Sequence, residues 1–140
     1  MKKIVLTLAL FVFAVAGIFA KDTVPYSIKG QLSFEDSDKY ECCGFTGSFC
    51  NKGEAEVTAF TIVFFVFDSD GNSPVVGRNN IVLKIEQSVA PREDFDFCIS
   101  LDKYLQVSDD QDYEVEYLYV SKIDYSDGSL WTDPFGIKFF

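Results

Sequence analysis

The chain has 140 residues, and its 22 acidic against 12 basic side chains give a formal net charge of −10, with no histidine. This balance argues against nucleic acid and anionic membrane as partners, because both attract positive charge. Without histidine the chain lacks the usual general base at neutral pH and the commonest metal ligand. It also has no cofactor fingerprint, so no cofactor is predicted.

The first 20 residues are typical of a secretory signal peptide. A basic start at Lys2–Lys3 precedes the apolar run Ile4–Val15, and small residues allow cleavage after Ala16 or Ala20. The apolar run is short for a membrane span. Cleavage after Ala20 is preferred and leaves one domain, residues 21–140. We therefore expect a secreted or periplasmic protein with no membrane span after signal cleavage.

The mature chain is predicted to begin with a strand, followed by an irregular segment that contains cysteines. Tyr26–Phe34 places apolar residues at alternating positions, which indicates an edge strand with a bulge at Gly30. Tyr40–Gly53 contains three cysteines and three glycines. This composition favours a connection without regular structure that is held by its cysteines.

Glu56–Asn72 contains the longest β-rich run in the chain. Side chains from Val57 to Phe67 are largely apolar in both phases of an extended strand, which predicts a central strand buried on both sides. β-branched and aromatic residues dominate the run and favour a strand over a buried helix. Phe65 and Phe67 are expected in the core, and Asp68–Asn72 is expected to form the closing turn.

Three later segments alternate apolar and polar residues, as half-buried strands do. They are Asn80–Gln87, Phe95–Leu101 and Tyr113–Tyr125. The Asp-Gly turn at Ser126–Ser129 predicts a hairpin that returns through Leu130–Trp131. No segment of any length has a helical period, so we predict an all-β fold, a sandwich of about six to eight antiparallel strands.

The end of the long strand contains a short motif. Phe64–Asp68 reads F-x-V-F-D and is followed by Ser69–Asn72. This resembles the FxLYD family of small extracellular immunoglobulin-like domains of bacteria, with Val66 in place of leucine and Phe67 in place of tyrosine. The hairpin that ends at Trp131 looks like the aromatic ending of related modules. The resemblance implies an immunoglobulin-like antiparallel β-sandwich outside the cytoplasm, carries over no catalytic residue, and has no counterpart for the cysteine-bearing segment.

Cys42, Cys43, Cys50 and Cys98 are the chemically most specific residues of the chain. Four thiols behind a signal peptide indicate a disulfide framework. Adjacent cysteines rarely bridge each other, which leaves Cys42–Cys50 with Cys43–Cys98, or Cys43–Cys50 with Cys42–Cys98. One disulfide with two free thiols is a third arrangement. A four-thiolate zinc site is the competing interpretation, although the spacing lacks the usual C-x2-C knuckle.

The turn after the long strand offers a weak metal site. Asp68, Asp70 and Asn72 have the one, three, five spacing of a calcium loop, but Ser73 and Asn79 occupy the positions where that loop needs glycine and glutamate. Asp68 and Asp70 are therefore candidate calcium ligands. A plain strand-ending turn is the favoured interpretation, because the same residues are common turn formers.

Paired carboxylates in the later strands have a structural as well as a functional interpretation. Pairs of carboxylates can catalyse glycoside hydrolysis, but a spacing of two places both members on one strand face towards solvent. The pairs are Asp94 with Asp96 and Glu114 with Glu116.

Tyr113, Tyr117 and Tyr119 share a phase with apolar residues, so most of them are expected in the core rather than at an interface.

The sequence thus predicts an exported, non-catalytic β-sandwich module with a structural or binding role and an unidentified protein or glycan as partner. The prediction that it is not an enzyme follows from the lack of a nucleophile motif, a phosphate loop or a cofactor fingerprint. The alternatives are an exported hydrolase that uses carboxylates on glycans and a calcium-dependent adhesion module.

Overall fold

The structure is a computed structural model that describes residues 23–37, 40–107 and 112–140, and of residues 35–37 and 40–43 it describes the backbone. Seven strands are present: β1 (Tyr26–Ser37), β2 (Tyr40–Asn51), β3 (Val57–Asp68), β4 (Ile81–Val89), β5 (Asp94–Ser100), β6 (Tyr113–Tyr125) and β7 (Leu130–Thr132). Within the described ranges no helix is long and apolar enough to cross a membrane. The predicted signal peptide lies outside these ranges.

The strands form two antiparallel sheets. One sheet has the order β1-β2-β5, and the other has the order β4-β3-β6-β7. The described residues contain no helix, so the prediction of an all-β fold with six to eight strands is confirmed. The predicted edge position of β1 and the predicted central position of β3 are also confirmed.

Aromatic rings from both sheets meet between them and form the centre of the core. Phe49 stacks on Phe60 with ring centroids 4.0 Å apart, and Phe45 stacks on Phe64 at 4.6 Å. All four rings are fully buried. Each such pair contributes about 0.5–1.5 kcal/mol beyond the burial of its apolar area.

The two faces of β3 differ more than the sequence predicts. Phe60, Ile62, Phe64 and Val66 point into the core and have no solvent exposure. On the other face Phe65 and Phe67 are only partly buried, so their prediction as core residues is wrong. The reason is that β4 pairs with β3 only as far as Phe64, within the described register, and leaves the last residues of β3 without a β4 neighbour.

The segment from Tyr40 to Gly53 is mostly strand, so the prediction of an irregular connection is wrong. Glycine is a weak strand former, yet β2 pairs with β1 along its whole length without a shift in register. The same unbroken register places Gly30 directly opposite Gly47 and excludes the predicted bulge at Gly30. The two glycines instead leave space for the ring of Phe45, which lies over them.

Tyr26 connects the first strand to the C-terminal part of the chain. Its ring lies 5.5 Å from the rings of both Trp131 and Phe139, and its hydroxyl oxygen accepts a 3.1 Å hydrogen bond from the amide of Val120. The side chain is 1% exposed. Burial raises the pKa of Tyr26 to about 12, although the Val120 hydrogen bond acts in the opposite direction.

Asn51 is a buried polar residue that the sequence does not single out. Its side-chain amide donates to the carbonyl oxygens of Ala55 at 2.9 Å and Val89 at 3.0 Å, and its side-chain oxygen accepts from the amide of Gly53 at 2.9 Å. Its backbone oxygen accepts from the amide of Arg92 at 2.7 Å. One carboxamide therefore ties the segment after β2 to the end of β4, and the backbone of Asn51 holds the turn between β4 and β5.

The predicted hairpin between β6 and β7 is confirmed. The amide of Tyr125 donates to the carbonyl of Ser129 at 3.0 Å, and Gly128 has a φ of 85°, which a residue without a β-carbon adopts easily. The amide and hydroxyl of Ser129 both donate to Asp127, and these bonds lower the pKa of the Asp127 carboxyl.

Candidate binding surface

An exposed aromatic surface lies on the outer face of the four-stranded sheet. The ring of Phe65 lies 6.2 Å from that of Phe67 and 5.8 Å from that of Tyr117, and Tyr117 lies 6.2 Å from Phe140. Tyr117 is 59% exposed and Phe140 is 57% exposed. We call these four rings the aromatic strip.

Tyr117 reaches this surface through a β-bulge. The register of β6 against β3 moves from Val63 opposite Tyr119 to Phe65 opposite Glu116, so β6 contains one extra residue at this point. Tyr117 has a φ of 54°, a left-handed conformation that bulky residues rarely adopt. The prediction that most of these tyrosines are core residues is therefore wrong for Tyr117, because the bulge changes its phase, while Tyr119 is buried as expected.

Carboxylates adjoin the aromatic strip on β6. Glu116 is paired with Phe65 and Glu114 with Phe67, so each glutamate lies beside an aromatic residue on the same sheet face. Phe67, Glu114 and Glu116 line an open cleft of about 630 Å³ beside the turn after β3. We call it the acidic cleft; its lining residues are Phe67, Asp68, Ser69, Gly71, Asp112, Glu114, Glu116 and Tyr117.

Asp68 serves the turn that ends β3. One of its carboxylate oxygens accepts from the amide of Asp70 at 2.9 Å and from the amide of Asn72 at 2.8 Å. Gly71 provides the positive φ of 82° that this turn needs. Asp70, the second candidate calcium ligand, is exposed and does not line the acidic cleft. Among the described residues no group of three or more potential ligands could hold a metal ion.

The expected cysteine bridges are not found, because Cys50 and Cys98 both have free thiols. In both predicted sets of two bridges, one bridge contains Cys50 and the other contains Cys98. The register explains this. Cys98 faces Thr46, and Cys43 lies three positions further along β2, an offset of about 10 Å that exceeds the ~7 Å limit between bridged residues. Cys42 and Cys43 lie in the same extended strand as Cys50, about 24 Å or more away.

The thiols of Cys50 and Cys98 have separate surroundings. Cys50 lies four positions from Thr46, the residue opposite Cys98, which is about 14 Å along the strand and too far for one zinc ion to bind both. Burial raises the pKa of the Cys50 thiol, and its hydrogen bond with Asp94 acts in the same direction. The hydroxyl of Thr46 donates to the sulfur of Cys98 at 3.8 Å.

The two carboxylate pairs lie on different sheets. Asp94 and Asp96 are exposed on the outer face of the three-stranded sheet, and Glu114 and Glu116 are exposed in the acidic cleft. The prediction that both pairs point to solvent is confirmed. The sequence does not predict that the second pair would lie beside Tyr117, because no sequence signal marks the bulge.

Comparison with known proteins identifies a fold but no family. No family model matches the chain, and no curated protein matches it. A hypothetical protein from Peptoclostridium difficile 630, whose crystal structure was solved at 1.85 Å, is similar over 80% of this chain and 88% of its own, with 13% identity and a TM-score of 0.55. A Northeast Structural Genomics Consortium target is similar over 76% of each chain, with 11% identity and a TM-score of 0.41. The first likeness is one of fold alone.

Proposed function

We propose that this protein is an exported, non-catalytic module of immunoglobulin-like type that binds a partner through the aromatic strip. The strand order supports the immunoglobulin-like part of the proposal. If β1, β2 and β5 correspond to strands A, B and E, then β4-β3-β6-β7 corresponds to C′-C-F-G. The F-x-V-F-D motif ends β3, which is the position that the resemblance to FxLYD domains implies.

Export is supported by the sequence of residues 1–20, with its basic start, its apolar run and its small residues before Lys21. The large excess of acidic side chains suits a soluble extracytoplasmic domain.

The observation that carries the binding role is the conformation of Tyr117. Its left-handed backbone costs about 1–2 kcal/mol, and the residue remains 59% exposed. A core residue would offset that cost by burial, but Tyr117 does so only in part. Exposed aromatic rings in contact with one another are typical of interface centres, where they supply large apolar area at low entropic cost. The strained bulge thus presents an aromatic side chain to a partner.

A non-catalytic role is supported by the open position of the carboxylates. Glu114 and Glu116 stand exposed on a sheet face and are not enclosed with a buried acid or base. Catalytic carboxylates in glycosidases work as a pair across an enclosed substrate bond, with one member held protonated by its surroundings.

Binding is tested by screening the purified domain against a random peptide library and a glycan array. Tyr117→Ala is compared with Leu130→Ala, because Leu130 is also 59% exposed and lies outside the aromatic strip. We expect ligands whose binding is lost in Tyr117→Ala and kept in Leu130→Ala. Ligands that bind both variants equally would refute the aromatic strip as the binding surface.

Catalysis is tested on the same preparation with glycoside and peptide substrates. Turnover that disappears in Glu114→Gln or Glu116→Gln would overturn the non-catalytic assignment, whereas we expect no turnover above that of buffer.

A further inference from the structure

Resting on the proposed binding function, we propose that the partner is a cationic polypeptide segment that lies extended along the aromatic strip. Its lysine or arginine side chains, at alternate positions, would meet Glu114 and Glu116. Their aliphatic stems would cover Phe65 and Phe67, because long basic side chains pack their methylene groups on apolar surface while the charged end reaches a polar group.

The first step of the argument is the pairing of rings with carboxylates. Phe65 faces Glu116 and Phe67 faces Glu114 across the β3–β6 ladder. Opposite residues of an antiparallel pair have Cβ atoms about 5 Å apart. A basic side chain has an apolar stem and a charged end separated by a similar length, so it matches one ring and one carboxylate at the same time. This match occurs twice in succession.

The second step is that no cation among the described residues forms an ion pair with these carboxylates. The ion pairs between described residues are Lys84 with Glu86 and Lys122 with Asp124, and neither involves the acidic cleft. No lysine or arginine occurs among the described residues that line the cleft. The whole chain has a formal net charge of −10. A partner must therefore bring positive charge or leave several carboxylates facing an apolar interface without compensation.

The third step concerns the shape of the partner. Glu114 and Glu116 are two residues apart in a strand and so about 7 Å apart along its axis. Alternate side chains of an extended peptide have the same repeat. Exposed Tyr117, which lies beside both glutamates in the cleft, adds an aromatic ring on which a guanidinium or ammonium group can be placed.

The outer face of β3 beyond Phe64 is open to an extended chain. Because the β4 register ends at Phe64, β4 does not flank Phe65 and Phe67 in the described part of the chain. Nucleic acid and anionic lipid surfaces are repelled by the same carboxylates that attract a basic peptide. A basic extended peptide is therefore the partner whose chemistry fits both components of the surface.

The proposal is tested with a fluorescent pentapeptide of sequence Arg-Thr-Arg-Thr-Arg, titrated with the full domain at low salt and followed by anisotropy. The comparison ligands are a peptide of the same composition with its three arginines adjacent, the glutamine analogue Gln-Thr-Gln-Thr-Gln, and spermine. Two double variants are compared, Glu114→Gln/Glu116→Gln and Asp94→Asn/Asp96→Asn. Both remove two exposed carboxylates spaced two residues apart on one strand, but only the first pair lies in the acidic cleft.

We expect the alternating arginine peptide to bind the wild-type domain and the Asp94/Asp96 variant alike, and to bind the Glu114/Glu116 variant about tenfold more weakly or worse. Binding should weaken as salt is raised, because exposed charges are screened. Tyr117→Ala should also weaken it. Equal weakening by both double variants would indicate attraction to net charge alone and would overturn the proposal.

Other outcomes separate the partner from the surface. Failure of the arginine peptide to bind overturns the cationic partner, and equal binding of the adjacent-arginine peptide or of spermine overturns the proposed extended segment with alternating basic residues. If the glutamine peptide binds in a manner that Tyr117→Ala abolishes, the aromatic strip remains the binding surface while the cationic partner is refuted. If no ligand of this set or of the library responds to Tyr117→Ala, the proposed function fails as well.

Discussion

Replacing Gly30 by alanine should destabilise the domain, although alanine is normally the better residue within a strand. A methyl carbon built at Gly30 lies 2.0 Å from Cζ of Phe45 and less than 3 Å from both of its Cε atoms. The ring has no free space to move into, because it is fully buried and stacks on Phe64 of the opposite sheet. The overlap must be relieved by moving the backbone of β1 or by tilting the ring.

The size of the effect follows from two opposing contributions. Overpacking a buried site costs about 1–3 kcal/mol, because side chains leave their rotamers and the backbone shifts. The loss of glycine's freedom in the unfolded chain contributes about 0.5–1 kcal/mol in the opposite direction. An overlap as short as 2.0 Å places the cost at the upper end of its range, so we expect a net loss of about 2 kcal/mol.

The reasoning is isolated by a double-mutant cycle with Phe45→Ala. Removing the ring costs about 3–5 kcal/mol by itself. In that background the methyl group of Gly30→Ala enters vacated space, so it should be neutral or stabilise by up to about 1 kcal/mol. The two substitutions should therefore be coupled by about 2–3 kcal/mol. Phe45→Leu replaces Phe45→Ala if the latter does not fold.

Unfolding in urea, followed by the fluorescence of Trp131, gives the four free energies. Trp131 is the single tryptophan and is partly buried beside Tyr26. Gly44→Ala is the control, because a methyl group there meets its nearest atom, the hydroxyl of Ser33, at 3.3 Å on the outer face. That change should cost less than about 1 kcal/mol. The close packing of Phe45 on β1 would be refuted if Gly30→Ala left the free energy of unfolding unchanged in the wild-type background. It would also be refuted if Gly30→Ala lowered that free energy equally in both backgrounds.

Four further predictions follow from particular residues. Asn51→Ala should lower the free energy of chemical unfolding by about 2–4 kcal/mol, because it leaves buried backbone groups without hydrogen-bond partners. A loss below about 0.5 kcal/mol would contradict the role of the Asn51 side chain in holding these backbone groups. The free energy of unfolding should fall by up to roughly 3 kcal/mol between pH 10 and about 12, since the unfolded chain loses its Tyr26 proton first, and Tyr26→Phe should flatten this dependence. Tyr117→Gly should be about 1 kcal/mol more stable than Tyr117→Ala, the reverse of the usual order in a strand; equal stability would argue against a left-handed conformation there. Maleimide labelling should modify Cys98 faster than Cys50, because Cys98 is exposed while burial raises the pKa of the Cys50 thiol. A peptide map showing Cys98 in a disulfide bridge would contradict the register of β2.

Strands with strong local alternation could be predicted closely. The predicted segment Tyr113–Tyr125 coincides with β6, and the turn chemistry of Asp127 and Gly128 correctly indicated the hairpin that follows. The turn at Asp68 was likewise predicted as the end of the strand. These features depend on residues that are neighbours in sequence, and so their signals are present in the chain itself.

The prediction of β2 failed for a reason that lies in its neighbours. Glycine at position 47 reads as a loop residue in isolation. In the fold it faces Gly30, and the two glycines together leave space for the ring of Phe45. Cysteine content behind a predicted signal peptide suggested cross-links, but an extended strand places Cys50 far from Cys42 and Cys43. Pairing between strands that are distant in sequence determined both outcomes.

The sequence by itself determined the all-β class, the central position of β3 and the solvent-facing carboxylates, because alternation with period two specifies which side chains share a face. The tertiary structure decided which face is covered. Phe65 is only partly buried because β4 ends opposite Phe64, and Tyr117 is exposed because one extra residue in β6 reverses its phase. A one-residue change in register moves a side chain from one face of a sheet to the other, and register is set by contacts between strands that local sequence does not encode.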